Sequence, residues 1–175
     1  MQDKEKVKKL PDPEERKAEL ISGLRDVRER ILALASSLVE SQLDEIYVGK
    51  WSCREMLAHL AGWDESNIRA AHEILAGNLP SFYEHSDKDW ATYNTTLVSE
   101  YNRDEFEELL SLVRETHRNL LALIQDLPAS VLWKDRGIRA RGWKVTIGHL
   151  LEVEMEDEDE HYSQLKQFID DGVKS

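Results

Sequence analysis

The stretch TIGHLLEVEMEDEDEHYSQLKQFI, residues 146–169, is apolar at both ends and acidic in the middle. At about 100° per residue, one helix face collects Ile147, Leu150, Glu154, Asp157, His161, Leu165 and Phe168, with Leu151 and Glu158 on its shoulder. Carboxylates and an imidazole therefore stand where leucines belong. An unpaired carboxylate is buried only at the cost of several kcal/mol or of taking up a proton, so the rest of the fold must bring positive charge to that level. A metal ion is the most economical source.

Three earlier segments also repeat apolar residues every three or four positions, no sustained period-two alternation occurs, and only eight glycines and four prolines punctuate the chain. Asp12-Pro13-Glu14-Glu15 is a helix start, ahead of Leu20, Leu24, Val27, Ile31, Ala35 and Leu38, and predicts a first helix over Pro13–Val39. Ser52-Cys53-Arg54-Glu55 is a capping box opening a second helix through Met56, His59, Leu60, Trp63, Ala70 and Ile74 to Gly77. Asn102 with Glu105 opens a third, burying Phe106, Leu109, Leu110, Val113, Leu120, Leu121 and Ile124 before Pro128. About a dozen residues join the first two helices, whereas about two dozen separate Gly77 from Asn102, enough for an extended chain to recross a bundle. The expectation is an all-α, single-domain four-helix bundle over residues 1–175, up-down-down-up, with a long crossover between the second and third helices.

The chain has 175 residues and a formal charge of −12. That balance predicts no nucleic-acid partner and no anionic membrane surface, because phosphate would be repelled at long range. Small molecules, cations or other proteins are the expected partners. The lone Cys53 makes no internal disulfide, no apolar run approaches the ~20 residues that span a bilayer, and the start MQDKEKVKKLPDPEE has no hydrophobic signal core. These features predict an unexported, cytoplasmic protein. The one basic stretch, with Arg136, Arg139 and Arg141 between Pro128 and Trp143, is placed to lie at the mouth of a site.

If the second and fourth helices are antiparallel, His59 lies ~10 Å past its helix start and His161 ~13 Å before the opposite end, at 1.5 Å per residue. The depths match, and Asp157 lies one turn before His161. His59, Asp157 and His161 form the candidate metal set, with Glu154 or Glu158 as the candidate proton acceptor. The plainer reading is a hydrogen-bonded core histidine and a solvated acidic face. Seven of the nine residues 152–160 are acidic, so almost any register places a carboxylate one turn before a histidine. His72, His85, His117 and His149 are read as structural or surface residues. Trp51, Trp63, Trp90, Trp133 and Trp143 read as core and helix-end packing, with Trp63 beside His59 able to wall a pocket.

At these residues the chain resembles the DinB-like superfamily: Trp51-Ser52-x-x-Glu55-Met56-Leu57-Ala58-His59-Leu60-Ala61-Gly62-Trp63 is similar to its second-helix motif and Asp157-x-x-x-His161-x-x-Gln164-Leu165 to its fourth. The first stretch, and faintly Trp90-Ala91-Thr92-Tyr93-Asn94, is similar to the ClbS/DfsB subgroup. The resemblance implies an up-down-down-up bundle, often dimeric, holding a divalent metal, commonly nickel or zinc, on three histidines. It carries the first ligand onto His59 and the last onto His161, and the middle one onto Asp157, where the family usually has histidine. Two histidines and one carboxylate suit Zn, Ni, Mn or Fe(II). The relatives include metal-dependent thiol transferases and hydrolases, while ClbS-like proteins disarm a reactive cyclopropane genotoxin.

Three functions compete at this stage. The first is a metal-assisted enzyme acting on a small, electrophilic molecule, in which the metal lowers the pKa of a water or thiol. The second is a module that sequesters a small ligand without turnover, and the third is a structural bundle in which His59 pairs with Asp157. A homodimer is also expected, from the resemblance and from Leu32, Leu34 and Val39 outside the first helix's main stripe. Light scattering then gives twice the 20.3 kDa chain mass; the chain mass alone across a wide concentration range rules the dimer out.

Overall fold

A computed structural model describes residues 12–47, 49–85 and 90–172; the charged leader, residues 1–11, lies outside it. Four long helices dominate: α1 (Pro13–Ala35), α3 (Cys53–Leu75), α5 (Phe106–Asp126) and α7 (Ile147–Gly172). Between them lie the short α2 (Glu40–Leu43), a 3₁₀ turn (Ser81–His85), α4 (Trp90–Tyr101), the short α6 (Ala129–Leu132) and a hairpin of β1 (Arg139–Ala140) with β2 (Trp143–Lys144). The fold is all-α, as expected, apart from this hairpin. No helix among the described residues is long and apolar enough to cross a membrane.

Two starts follow the local chemistry. Asp12 accepts from the Glu14 amide with Pro13 in the first turn, and Ser52 and Glu55 close a reciprocal capping box. The third start differs: α5 begins at Phe106 after an extended Glu105, and Asn102 instead accepts from the neighbouring Arg103 amide. An Asx side chain satisfies a nearby amide in a turn as readily as at a cap. The first helix also stops at Ala35, short of Val39, and Leu32 and Leu34 pack against the core while Val39 stays exposed.

Contacts near the helix ends give the directions. Arg16 pairs with Glu152 and Arg30 with Asp159, so α1 and α7 run together. Arg54 donates to the Asp104 carbonyl and Asp64 meets Thr116, so α3 and α5 run together. Lys17, at the start of α1, donates to the Gln125 and Leu127 carbonyls at the end of α5, which opposes the two pairs.

The second connection is not an extended crossover. Its Trp90, Tyr93, Leu97 and Tyr101 recur at helical spacing, and they form α4, which lies along α3. Gly62 permits this approach, since a Cβ there would meet the Leu97 Cβ at 2.8 Å. Trp63 Nε1 donates to Asn94 Oδ1, and the Ser66 and Tyr93 hydroxyls share a hydrogen bond, which fixes α4 in place.

The core is two apolar clusters separated by a polar layer. One gathers Val27, Ile31, Met56, Leu60, Leu109, Val113 and Leu165; the other Leu20, Leu24, Ile74, Leu120, Ile124, Ile147 and Leu151. Between them Arg28, 1% exposed, forks to two carboxylates. Its Nη1 and Nη2 donate to Asp64 at 2.8 and 3.1 Å, and its Nε and Nη2 donate to Glu158 at 2.9 and 2.7 Å. Thr116 Oγ1 donates to Asp64 at 2.8 Å, and His117 Nδ1 lies 3.5 Å from the same carboxylate. Burial works against the Arg28 charge, but Asp64 and Glu158 outweigh it and raise the pKa of the guanidinium. Burial likewise pushes the Asp64 carboxyl up, and Arg28 and His117 together hold it below its ordinary range.

This layer corrects two expectations. The positive charge answering Glu158 comes from Arg28, not from a metal. The inward face of α7 is Ile147, Leu151, Glu154, Glu158, His161 and Leu165, alternating steps of four and three, with Asp157 at its exposed edge. His117, read as structural or surface, is buried, whereas His72 and His149 are exposed.

Removing one partner of a buried, hydrogen-bonded charge cluster costs about 3–5 kcal/mol, because the remaining charges lose their compensation. Arg28→Met should lose that much in urea unfolding at pH 7, and adding Asp64→Asn and Glu158→Gln should recover most of it. A single-variant loss under about 1 kcal/mol would sink this account of the core.

Candidate metal centre and its cavity

The antiparallel packing of α3 on α7 brings His59, Asp157 and His161 together, with one ligand atom from each within 4.8 Å of the others. The Nε2 atoms of His59 and His161 lie 3.9 and 3.6 Å from Asp157 Oδ2, and the two rings meet edge-on at 5.3 Å. Those separations exceed hydrogen-bond length. They approach the spacing of about 3.0–3.6 Å between neighbouring ligands that each stand about 2.0–2.2 Å from a zinc ion.

The surroundings prepare both imidazoles as donors. His161 Nδ1 lies 3.0 Å from Gln164 Oε1, and Gln164 Nε2 is itself committed to Glu160. An amide oxygen only accepts, so Nδ1 carries a hydrogen and Nε2 is the ring nitrogen that faces Asp157. His59 is buried beneath Trp51, with ring centroids 4.6 Å apart, and its Nδ1 has no hydrogen-bond partner among the described residues. Burial is the main cause of its depressed pKa, which keeps it neutral and available for ligation at pH 7. The adjacent His59 ring is the first cause holding the Asp157 carboxyl below its ordinary range, and His161 adds to it. Two imidazole nitrogens and a carboxylate within 4.8 Å of one another form a donor set that fits a divalent ion.

His59 and Asp157 also line a cavity of about 370 Å³, walled by Trp63, Phe82, Tyr83 and Trp90, with Asn67, Asn94 and Glu154 as its other polar groups. Trp63 does wall a pocket beside His59, and α4 supplies Trp90 and Asn94. A smaller hollow of about 270 Å³ shares Tyr83 and Trp90 and reaches Arg141, Trp143 and Lys144 on the hairpin. The hairpin turns tightly because Arg141 and Gly142 both take positive φ, at 50° and 84°. Trp143 at its tip is 79% exposed, unlike the packed residue expected.

The two candidate proton acceptors differ sharply. Both oxygens of Glu158 are taken by Arg28, and it does not line the cavity. Glu154 does line it, accepts from Asn67 Nδ2 at 3.0 Å, and has its pKa raised well above the ordinary value, first by burial and then by Glu158 and Asp64. A second group of possible ligands, Asp64, His117 and Glu158, surrounds the Arg28 guanidinium, which already bonds two of them. Sequence reading passed over Arg28, Asp64 and Asn67. Their signal was present, since Arg28 falls four residues after Leu24 and three before Ile31, on the apolar stripe itself.

The DinB superfamily model matches residues 23–165, and the chain belongs to that superfamily. No curated protein matches it. Among solved structures it is similar to the colibactin self-resistance protein ClbS in complex with a dsDNA, with a TM-score of 0.71, 20% identity and coverage of 86% of this chain and 93% of that one. It is similar to DfsB, described as a sibling lethal factor precursor, at 0.71 and 16%, over 89% and 96%. An uncharacterised protein from Escherichia coli UTI89 is alike at 0.69 and 17%, over 90% and 94%. The ClbS complex overturns the expectation that a net charge of −12 excludes nucleic acid. Net charge sums the whole surface, whereas binding answers to a local field. Residues 134–144 carry five basic side chains against one acidic.

Glu154 yields a pH prediction for metal-free protein. Its folded carboxyl keeps a proton that the unfolded chain releases near 4.5, so its stabilisation is full below that pH and is lost as pH rises through the elevated folded value. Glu154→Gln should therefore melt like wild type near pH 4 and above it at pH 8 and beyond. Parallel melting curves for the two proteins across that range would contradict the assignment.

Proposed function

We propose that this protein is a divalent-metal-dependent enzyme, a hydrolase or thiol transferase, acting on a small electrophilic molecule held in the aromatic cavity. The observation that carries this reading is that His59 and Asp157 both line that cavity, His59 buried and Asp157 at its exposed edge. His59, Asp157 and His161 would hold Zn, Ni, Mn or Fe(II), which when bound supplies Lewis acidity to activate a water or thiol nucleophile. Trp63, Phe82, Tyr83 and Trp90 bind the apolar part of the substrate and exclude water. Glu154 handles the proton: Asn67 occupies one carboxyl oxygen, and burial raises the affinity of this cavity-lining carboxyl for a proton. Glu158 is left out of this chemistry because Arg28 saturates it. Cys53 is buried and its thiol is pushed by burial up to about 12, so a thiol nucleophile comes from a substrate. That requirement fits a reducing, cytoplasmic setting.

A second reading, protection by binding without turnover, is favoured by the basic hairpin beside the cavity and by the likeness to a self-resistance protein held on dsDNA. Under it, nucleic acid meets Arg141, Trp143 and Lys144.

Loading with Zn, Ni or Mn should raise the melting temperature, since an ion held by the folded state alone stabilises it by mass action. His59→Ala, Asp157→Ala and His161→Ala should each abolish the gain and the turnover of esters, amides, strained rings or thiol acceptors. Glu154→Gln should slow turnover with metal content intact. No gain from any of the ions removes the metal reading. Activity no higher than the His161→Ala control, together with duplex binding that Arg141→Glu/Lys144→Glu weakens, selects the second reading.

A further inference from the structure

A hollow of about 490 Å³ lies between α1 and α5 and shares no residue with the aromatic cavity. Three arginines surround it, Arg25 on α1 and Arg114 and Arg118 one turn apart on α5. All three are exposed, and none has a hydrogen bond or ion pair among the described residues. In a chain with 35 acidic residues this is unusual, and like charges one helical turn apart repel. Glu29 is the one acidic side chain lining the hollow. Arg28 also lines it, but its charge is committed to Asp64 and Glu158.

The decisive group is His117. It lines the hollow while 6% exposed, its Nδ1 faces Asp64, and its Nε2 is buried without a partner. A buried polar atom left unpaired costs about 1–3 kcal/mol, a cost that a ligand bonded to this nitrogen would remove. A metal is the wrong guest, because the arginines around the hollow repel it. Guanidinium forks match the tetrahedral oxygens of a phosphate, and an imidazole nitrogen shares a proton with such an oxygen whichever of the two carries it.

We propose that this hollow is a second binding site, for the phosphate group of a small ligand, with Arg25, Arg114 and Arg118 as its charge partners and His117 Nε2 at its base. The volume exceeds that of a bare phosphate ion and leaves room for the organic part of a phosphomonoester. A terminal phosphate presents three free oxygens to these groups, whereas the phosphodiester of a duplex presents two.

Inorganic phosphate, and separately phenyl phosphate, would be titrated into the full chain at constant ionic strength set with chloride, following the side-chain nitrogens of His117 by NMR. Saturable movement of the His117 Nε2 resonance is expected, with phenyl phosphate binding more tightly than the free ion. Arg114→Ala/Arg118→Ala, at two exposed positions that leave the core intact, should weaken either ligand at least about tenfold. An unmoved His117, or an affinity unchanged in the double variant, overturns the site. A DNA duplex that displaces phosphate stoichiometrically overturns the assignment to a small ligand.

Discussion

Arg28 stands between two apolar clusters with its charge balanced by carboxylates from two other helices. A guanidinium can be buried only where its fork is met in the correct plane, so Asp64 and Glu158 fix the sliding and rotation of α3 and α7 against α1. Leucine contacts tolerate small shifts of one helix along another; this arrangement does not. It also sets the phase of α7. With Glu158 drawn inward, Asp157 is turned to the edge, toward His59 and the open cavity, and Glu154 is brought beneath Asn67.

The candidate metal centre is therefore a neighbour of the charge network rather than a replacement for it. The network absorbs the carboxylates of the polar layer, leaving Asp157 as the carboxylate that meets the two histidines. Where the superfamily resemblance implies a third neutral imidazole, this chain places a carboxylate that its histidine neighbours keep ionised. It is also 52% exposed, so this carboxylate lies at the edge of the candidate site while the two histidines are buried. The crossover supplies the rest. By folding into α4 against Gly62 it brings Trp90 and Asn94 into the wall that His59 and Asp157 share and turns an open face of α3 and α7 into a cavity.

Much of this was legible in local signals. Asp12 and Ser52 declare their helix starts because capping needs only the adjacent amides. His59 and His161 meet because antiparallel packing makes equal depths coincide, and Asp157 joins them from one turn before His161. The crossover helix was missed although Trp90, Tyr93, Leu97 and Tyr101 carried its period, because a long connection satisfies the topology equally well when extended. Asn102 misled because the side chain that caps a helix also closes a turn.

Sequence by itself determined the helical class, the two caps and the residue types that gather at the metal candidate, all of which depend on neighbours within a turn or two. Only the tertiary structure decided which acidic residue of α7 is buried, which is exposed and which has its pKa raised by burial. Leu150 and Leu151, or Asp157 and Glu158, lie about 100° apart on the helix, so either can face a core. The choice is made by a guanidinium 130 residues away on another helix. Periodicity measures the spacing of apolar groups along one helix; the partner of a buried charge is set by the register between helices, to which that spacing is blind.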